Sequence, residues 1–245
     1  MTATTEDPRQ RLILALDVDD RTQARDMVRR TVASVGIYKV GLQLFVAEGP
    51  DLVRELVAEG ARVFLDLKLH DIPNTVLGAA RQVARLGAAM FTVHCTNGAR
   101  GLAEALSGLR EFCTRERLPE PLMLGVTVLT SMSDADLHGI GAGGSAERQV
   151  EILAGMAYRA GLRGFVASPL EAAALRRSYD DAFIVTPGIR PAGADAGDQS
   201  RITTPRDAIA AGASAIVVGR PILRAPDPGA AAAAILAEIR QALAG

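Results

Sequence analysis

Residues 63–71 read Val-Phe-Leu-Asp66-Leu-Lys68-Leu-His-Asp71, which sets two acids and a lysine into an otherwise largely apolar run. In an extended segment successive side chains alternate between faces, so Asp66 and Lys68 fall on the same one. A lysine flanked by acids stays protonated even away from bulk water, because nearby carboxylates favour the ammonium form. A second lysine interrupts the apolar run Ile37-Tyr-Lys39-Val-Gly41. Burying it without a partner is costly, so Lys39 either points into a charged pocket or snorkels from a strand edge. Asp17 closes the run Leu14-Ala-Leu-Asp17, where it either joins that pocket or caps the following helix; Asp19 and Asp20 are alternative caps. Farther along, Thr186-Pro-Gly-Ile-Arg190-Pro and Val218-Gly219-Arg220-Pro221 each place an arginine just beyond an apolar run. Such arginines can make charge-assisted hydrogen bonds to a phosphate, and glycine lets backbone N–H groups approach it. Gln199 lies in the Gly-, Ala- and Asp-containing stretch Ala192–Ser200, which could close over a ligand as a lid. The alternative for all these charges is a set of solvated strand ends.

What decides between those readings is the framework that positions the residues. Short runs rich in Val, Ile, Leu or Phe recur at residues 11–17, 35–41, 61–68, 89–95, 122–129, 164–167, 182–186 and 214–219. Helical stretches fill the gaps at 21–31, 44–59, 75–86, 99–115, 146–160, 170–178, 205–211 and 228–244, several of them stopped by glycine. Strict alternation of strand and helix demands a parallel sheet. Eight such units in 245 residues fit a closed (β/α)8 TIM barrel of the α/β class better than an open doubly wound sheet. In that fold functional groups gather at the carboxyl ends of the strands. Asp17, Lys39, Asp66 and Lys68 are all sent to one mouth, with acids and lysines interleaved.

Composition narrows the partners. The 27 Lys+Arg against 28 Asp+Glu leave a net charge of -1, which argues against a general binder of nucleic-acid polymers or anionic membranes. Aromatic residues are 4% and Trp is absent, so stacking platforms for single-stranded nucleic acid are not expected. Cys95 and Cys113 fit no zinc spacing and read as buried thiols of a reduced compartment. The polar start carries no apolar signal segment, and no run is long enough to span a bilayer. The expectation is a cytoplasmic chain folded as one domain over residues 1–245, with residues 1–10 a poorly ordered extension.

The run Asp66-Leu-Lys68-Leu-His-Asp71-Ile72-Pro73-Asn74-Thr75 resembles the signature of the orotidine 5'-phosphate decarboxylase family, in its bacterial branch. The likeness extends in order through 14–17, 38–43, 126–132, 186–191, 197–199 and 219–221, and thus over nearly the whole chain. It implies conversion of orotidine 5'-phosphate to uridine 5'-phosphate and carbon dioxide in pyrimidine biosynthesis, with no metal and no cofactor. It implies that Lys68 protonates C6 of the pyrimidine within a charge network completed by Asp66, Lys39 and Asp71. Asp71, Ile72 and Thr75 would enter the neighbouring subunit's site across a homodimer interface. Asp17 and Lys39 would bind ribose hydroxyls, and Thr130 or its neighbour Ser131 the pyrimidine edge. Gln199, Gly219 and Arg220 would hold the phosphate, with Arg190 assisting.

Of the three histidines, His70 reads as structural and His94 as a pocket candidate, and none shows metal-ligand spacing. Two other readings stand beside the decarboxylase. One is a Mg²⁺-dependent sugar-phosphate lyase of the same barrel group, and the other a non-catalytic phospholigand-binding barrel. The Ile72–Thr75 run and the lid from Gly-Ile-Arg-Pro to Asp198-Gln199 favour the nucleotide enzyme over the first. The intact Asp66, Lys68 and Asp71 argue against the second.

Overall fold

The computed structural model describes residues 7–191 and 203–244. Eight parallel strands close into a barrel in chain order: β1 (Leu12–Ala15), β2 (Ile37–Gly41), β3 (Val63–Leu69), β4 (Met90–His94), β5 (Leu122–Val126), β6 (Gly164–Val166), β7 (Phe183–Thr186) and β8 (Ala215–Val218). Closure comes from β1, which pairs with β2 on one side and β8 on the other. The outer ring holds α1 (Arg21–Thr31), α2 (Leu42–Ala58), α3 (Pro73–Arg85), α4 (Gly98–Glu116), α5 (Asp134–Gly139), α6 (Ala146–Arg159), α7 (Pro169–Ser178), α8 (Pro205–Ala210), α9 (Arg220–Leu223) and α10 (Pro228–Ala244).

Alternation along the strands divides the apolar residues into two sets. Ile13, Ile37, Phe64, Met90, Leu124, Val185 and Val217 pack together inside the barrel. Leu14, Tyr38, Val40, Leu65, Phe91 and Val218 face outward into a larger core against the helices. Each fully buried Leu, Ile or Phe contributes about 1.5–3 kcal/mol, so a one-residue slip that exchanged the faces is strongly disfavoured. The inward set fills the barrel floor. Two residues farther along the same faces come Lys39 after Ile37, Asp66 after Phe64 and Gly219 after Val217. The charged layer is therefore the apolar layer continued one step toward the mouth.

Helix ends follow their sequence signals. At the recurring Gly-Ala turn, Gly60 and Gly212 take φ 87° and 101°, a region that glycine enters without steric cost. Ala61 N–H then donates to Leu56 O and Ala213 N–H to Ala208 O, closing the α2 and α8 carboxyl ends. Asp20 caps α1 by accepting from Gln23 N–H, which releases Asp17 from that duty.

Several details depart from the sequence-based expectations. Strand 122–129 stops at Val126, and strand 11–17 spans only Leu12–Ala15. The helix expected at 44–59 begins at Leu42 and breaks at Gly49 (φ 68°, ψ -166°), where Pro50 cannot donate a backbone hydrogen bond. The short helices α5 and α9 were not anticipated, although Ser133 and Asp136 form a capping box that announces α5. Within the presumed N-terminal extension, Asp7 caps a 3-10 turn, Pro8–Arg11, that leads directly into β1. A Cβ on Gly36 would lie 2.4 Å from the Arg9 carbonyl oxygen, so this turn packs tightly against the entry to β2.

Candidate active site

At the carboxyl ends of the strands a cavity of about 260 Å³ is lined by Asp17, Lys39, Asp66, Lys68, Thr130, Arg190, Gly219 and Arg220, above Phe64, Val126 and Val185. Lys39, Asp66 and Lys68 are placed by β2 and β3, while Asp17, Arg190 and Arg220 follow the ends of β1, β7 and β8. Lys39 rises from β2 with its ammonium 3.4 Å from Asp17 Oδ1 and 3.6 Å from Asp66 Oδ2. A Cβ on Gly41 would come within 3.0 Å of Lys39 Nζ, so the glycine that ends β2 leaves room for the ammonium. From β3, Lys68 Nζ donates to Asp66 Oδ1 at 2.9 Å. The order Asp17, Lys39, Asp66, Lys68 is thus a continuous chain of alternating charge.

Burial is graded along this chain. The Asp66 and Lys39 side chains are 14% and 13% exposed, Lys68 is 31% exposed, and Asp17 opens to solvent at 57%. Burial alone pushes the Asp66 carboxyl up. The attraction of Lys39 and Lys68, with hydrogen bonds from Lys68 and Thr92, outweighs that and holds it below the ordinary carboxylate value. Asp66 is consequently a fixed negative charge, and Lys68 is the more accessible of the two ammonium groups.

Lys68 does not reach Asp66 by simple strand alternation. Between the pairs Leu65↔Phe91 and Leu69↔Val93, β3 advances four residues while β4 advances two. Lys68 sits in this irregularity with φ 53°, a left-handed conformation that costs a non-glycine residue about 1–3 kcal/mol. Strain of this kind is retained where surrounding contacts over-determine it. The irregular segment is pinned from β4 and the turn after it. Thr92 Oγ1 accepts from Lys68 N–H and donates to Asp66 Oδ1, both at 2.9 Å. Asn97 donates to Leu69 O and His94 O and accepts from Asp71 N–H.

On the far wall, Thr130 lines the cavity and its neighbour Ser131 does not. Arg190 is buried, with Nη1 donating to Ile189 O and its backbone N–H to Thr203 O. Arg220 opens α9 directly after Gly219. His94 is outside the cavity wall and faces His70, with ring centroids 5.5 Å apart. Burial, His70 and Lys68 all lower its pKa, which favours the neutral ring. Asp71, Ile72 and Thr75 are exposed and stand outside the cavity of their own chain. Ile72 is 66% exposed. Gln199 and the expected lid lie outside the described residues. Cys95 is enclosed, and burial pushes its thiol up to about 12.

A larger cavity, about 590 Å³, opens at the amino-terminal end of the barrel over Met90, Leu122 and Phe183. Its arginines are engaged: Arg62 with Gln10, Arg110 with Glu120, and Arg163 with Asp181. In this fold that end serves stability, so size does not outweigh the chemistry at the other end. Among the described residues no group of three or more His, Cys, Asp or Glu is placed to hold a metal ion.

Fold and site together define the class: a (β/α)8-barrel enzyme whose interleaved acids and lysines meet arginines at one strand-end mouth. The family model described as "Orotidine 5'-phosphate decarboxylase / HUMPS family" matches residues 10–235, and the chain belongs to that family. Among its relatives, the orotidine 5'-phosphate decarboxylase of Syntrophotalea carbinolica is 49% identical over 96% of this chain and 97% of its own length. That of Moorella thermoacetica is 48% identical over 94% and 92%. The crystal structure of orotidine 5'-phosphate decarboxylase from Lactobacillus acidophilus superposes with a TM-score of 0.82 at 40% identity, covering 93% of this chain and 98% of that one.

Proposed function

We propose that this chain decarboxylates orotidine 5'-phosphate to uridine 5'-phosphate and carbon dioxide in de novo pyrimidine biosynthesis, without metal or cofactor. The observation that carries the reading is the Lys39–Asp66–Lys68 array beside Arg190 and Arg220 in one cavity. Loss of carbon dioxide from C6 leaves the electron pair of the broken bond on a vinylic carbon that the ring cannot delocalise. Stabilisation must then come from a fixed positive charge. Lys68 provides it, held in place by Asp66, and its Nζ passes a proton to C6 as the bond breaks. Solvent returns the proton to the amine. Asp17 and Lys39 engage the ribose hydroxyls, Thr130 the pyrimidine edge, and Gly219, Arg220, Arg190 and Gln199 the phosphate.

Asp71, Ile72 and Thr75 complete the neighbouring subunit's site in a homodimer. Supporting this, the exposed apolar residues Leu42, Val46 and Ile72 lie at the starts of α2 and α3, next to the strand ends that form the site. The same proposal places the enzyme in the cytoplasm; no described helix is long and apolar enough to cross a membrane.

The geometry also bears on the Mg²⁺-dependent alternative. The two cavity carboxylates, Asp17 and Asp66, already share a cation, because the Lys39 ammonium stands between them. The test is an ultraviolet assay of orotidine 5'-phosphate consumption by purified dimer, with and without EDTA. Turnover unaffected by EDTA is expected. No loss of substrate overturns the assignment, and turnover abolished by EDTA and restored by Mg²⁺ favours the alternative.

A further inference from the structure

We propose that Thr92 is a positioning residue whose one hydroxyl sets the Lys68 backbone and the Asp66 carboxylate relative to each other. The inference rests on the decarboxylase reading and extends it to a residue outside the cavity wall. Thr92 is fully buried in β4 between Phe91 and Val93, where a hydroxyl is unfavourable unless its hydrogen bonds are made. Both are made, and both go to the reacting pair. Its oxygen accepts the Lys68 N–H, and its proton goes to Asp66 Oδ1. A hydroxyl is donor and acceptor at once, so one side chain can serve both roles.

The position of this contact matters more than its number. The β3–β4 register is shifted between Leu65 and Leu69, and there Lys68 N–H finds a side-chain oxygen on β4. The same oxygen thereby braces the left-handed Lys68 backbone. The Asp66 carboxylate is held on three sides: Lys68 and Thr92 on Oδ1, Lys39 facing Oδ2. Removing Thr92 frees the carboxylate to rotate and the bulge to relax, which moves Lys68 Nζ away from the reacting carbon. A misplacement near 1 Å is enough to cost about 100-fold in rate.

The other charged and titratable groups around Asp66 are Lys39 from β2, Lys68 on its own strand and His94 from β4, with Asp17 beyond Lys39. The Thr92 hydrogen bond helps keep Asp66 ionised, so its loss moves the acid limb of the kcat profile to higher pH.

The experiment compares wild type, Thr92→Val and Thr92→Ser in orotidine 5'-phosphate turnover across pH. Thr92→Val is expected to lower kcat about 10- to 100-fold with KM within about threefold, and to raise the acid limb. Thr92→Ser keeps the hydroxyl and is expected to stay within about threefold of wild type, with the limb in place. If Thr92→Val does not fold, Thr92→Cys, a weak acceptor of similar size, takes its place with the same expectations. Wild-type kcat in the hydroxyl-deficient variant overturns the inference. So does an equal loss in the Ser and Val variants with an unmoved acid limb, because that is a packing effect. Absence of turnover in wild type overturns the decarboxylase reading itself, and this inference with it.

Discussion

Lys68 and Asp66 make a mutually dependent pair, and each can be tested by what the other loses. In the proposed mechanism Lys68→Ala removes both the stabilising positive charge and the donated proton. Turnover is expected to fall by about 10³-fold or more, measured by the ultraviolet assay. Asp66 has its pKa depressed in the folded protein. Its contribution to stability is therefore complete above the ordinary carboxylate value, near 3.9, and is lost as pH falls through the lower folded value. Urea midpoints of the wild type are expected to decline below about pH 4, and Asp66→Asn to flatten that part of the curve. At this scale much of the site could be read from residue type alone. A lysine inside Ile-Tyr-Lys-Val-Gly and an acid closing Leu-Ala-Leu-Asp have few structural reasons to be there, and both line the cavity. Thr92 and Asn97 escaped notice because a threonine in a strand and an asparagine in a turn are unremarkable in sequence. Their roles exist only once β3 and β4 are side by side.

Strands and helices were legible where periodicity and punctuation agreed. The barrel order follows from strict alternation, and the Gly-Ala turns mark the helix ends where Ala61 and Ala213 close them. The irregularity at Lys68 was not legible, because an unequal advance on two strands is a property of their pairing. Period-2 reasoning brought Asp66 and Lys68 together by the wrong route. They meet where the β3–β4 register shifts and Lys68 takes a left-handed backbone conformation. The end of β5 was misplaced for a related reason: Val128 and Leu129 continue the apolar run but line the mouth as loop residues. A sharp test of element packing lies at Gly36, where any Cβ meets the backbone of the Pro8–Arg11 turn and no flexible side chain can yield. Gly36→Ala is expected to destabilise the protein by about 1–3 kcal/mol. For a domain of this size that is a fall in Tm of roughly 2–12 °C, readable by circular dichroism.

At the scale of the whole molecule, the proposed dimer predicts complementation between two inactive chains. Lys68→Ala and Asp71→Ala protein, each inactive alone, are mixed in equal amounts and allowed to exchange subunits. Half of the dimers are then hybrids, each with one site that draws Lys68 and Asp71 from intact sources. About one quarter of wild-type activity is expected. Demonstrated exchange with no recovery removes the shared site. The near-neutral charge of -1 gives no sign of the interleaved acids and lysines that meet two arginines at one end of the barrel. The closure of the barrel also bears on how the chain is made. β1, at Leu12–Ala15, needs β8, at Ala215–Val218, as its second neighbour. At synthesis rates of 5–20 residues per second, the first strand waits roughly 10–40 s before its last partner has even been polymerised. Throughout that interval the nascent sheet has a free edge beside β1, available to any other extended chain. Pairing of β8 with β1, and not the appearance of any catalytic residue, is the event that removes this free edge.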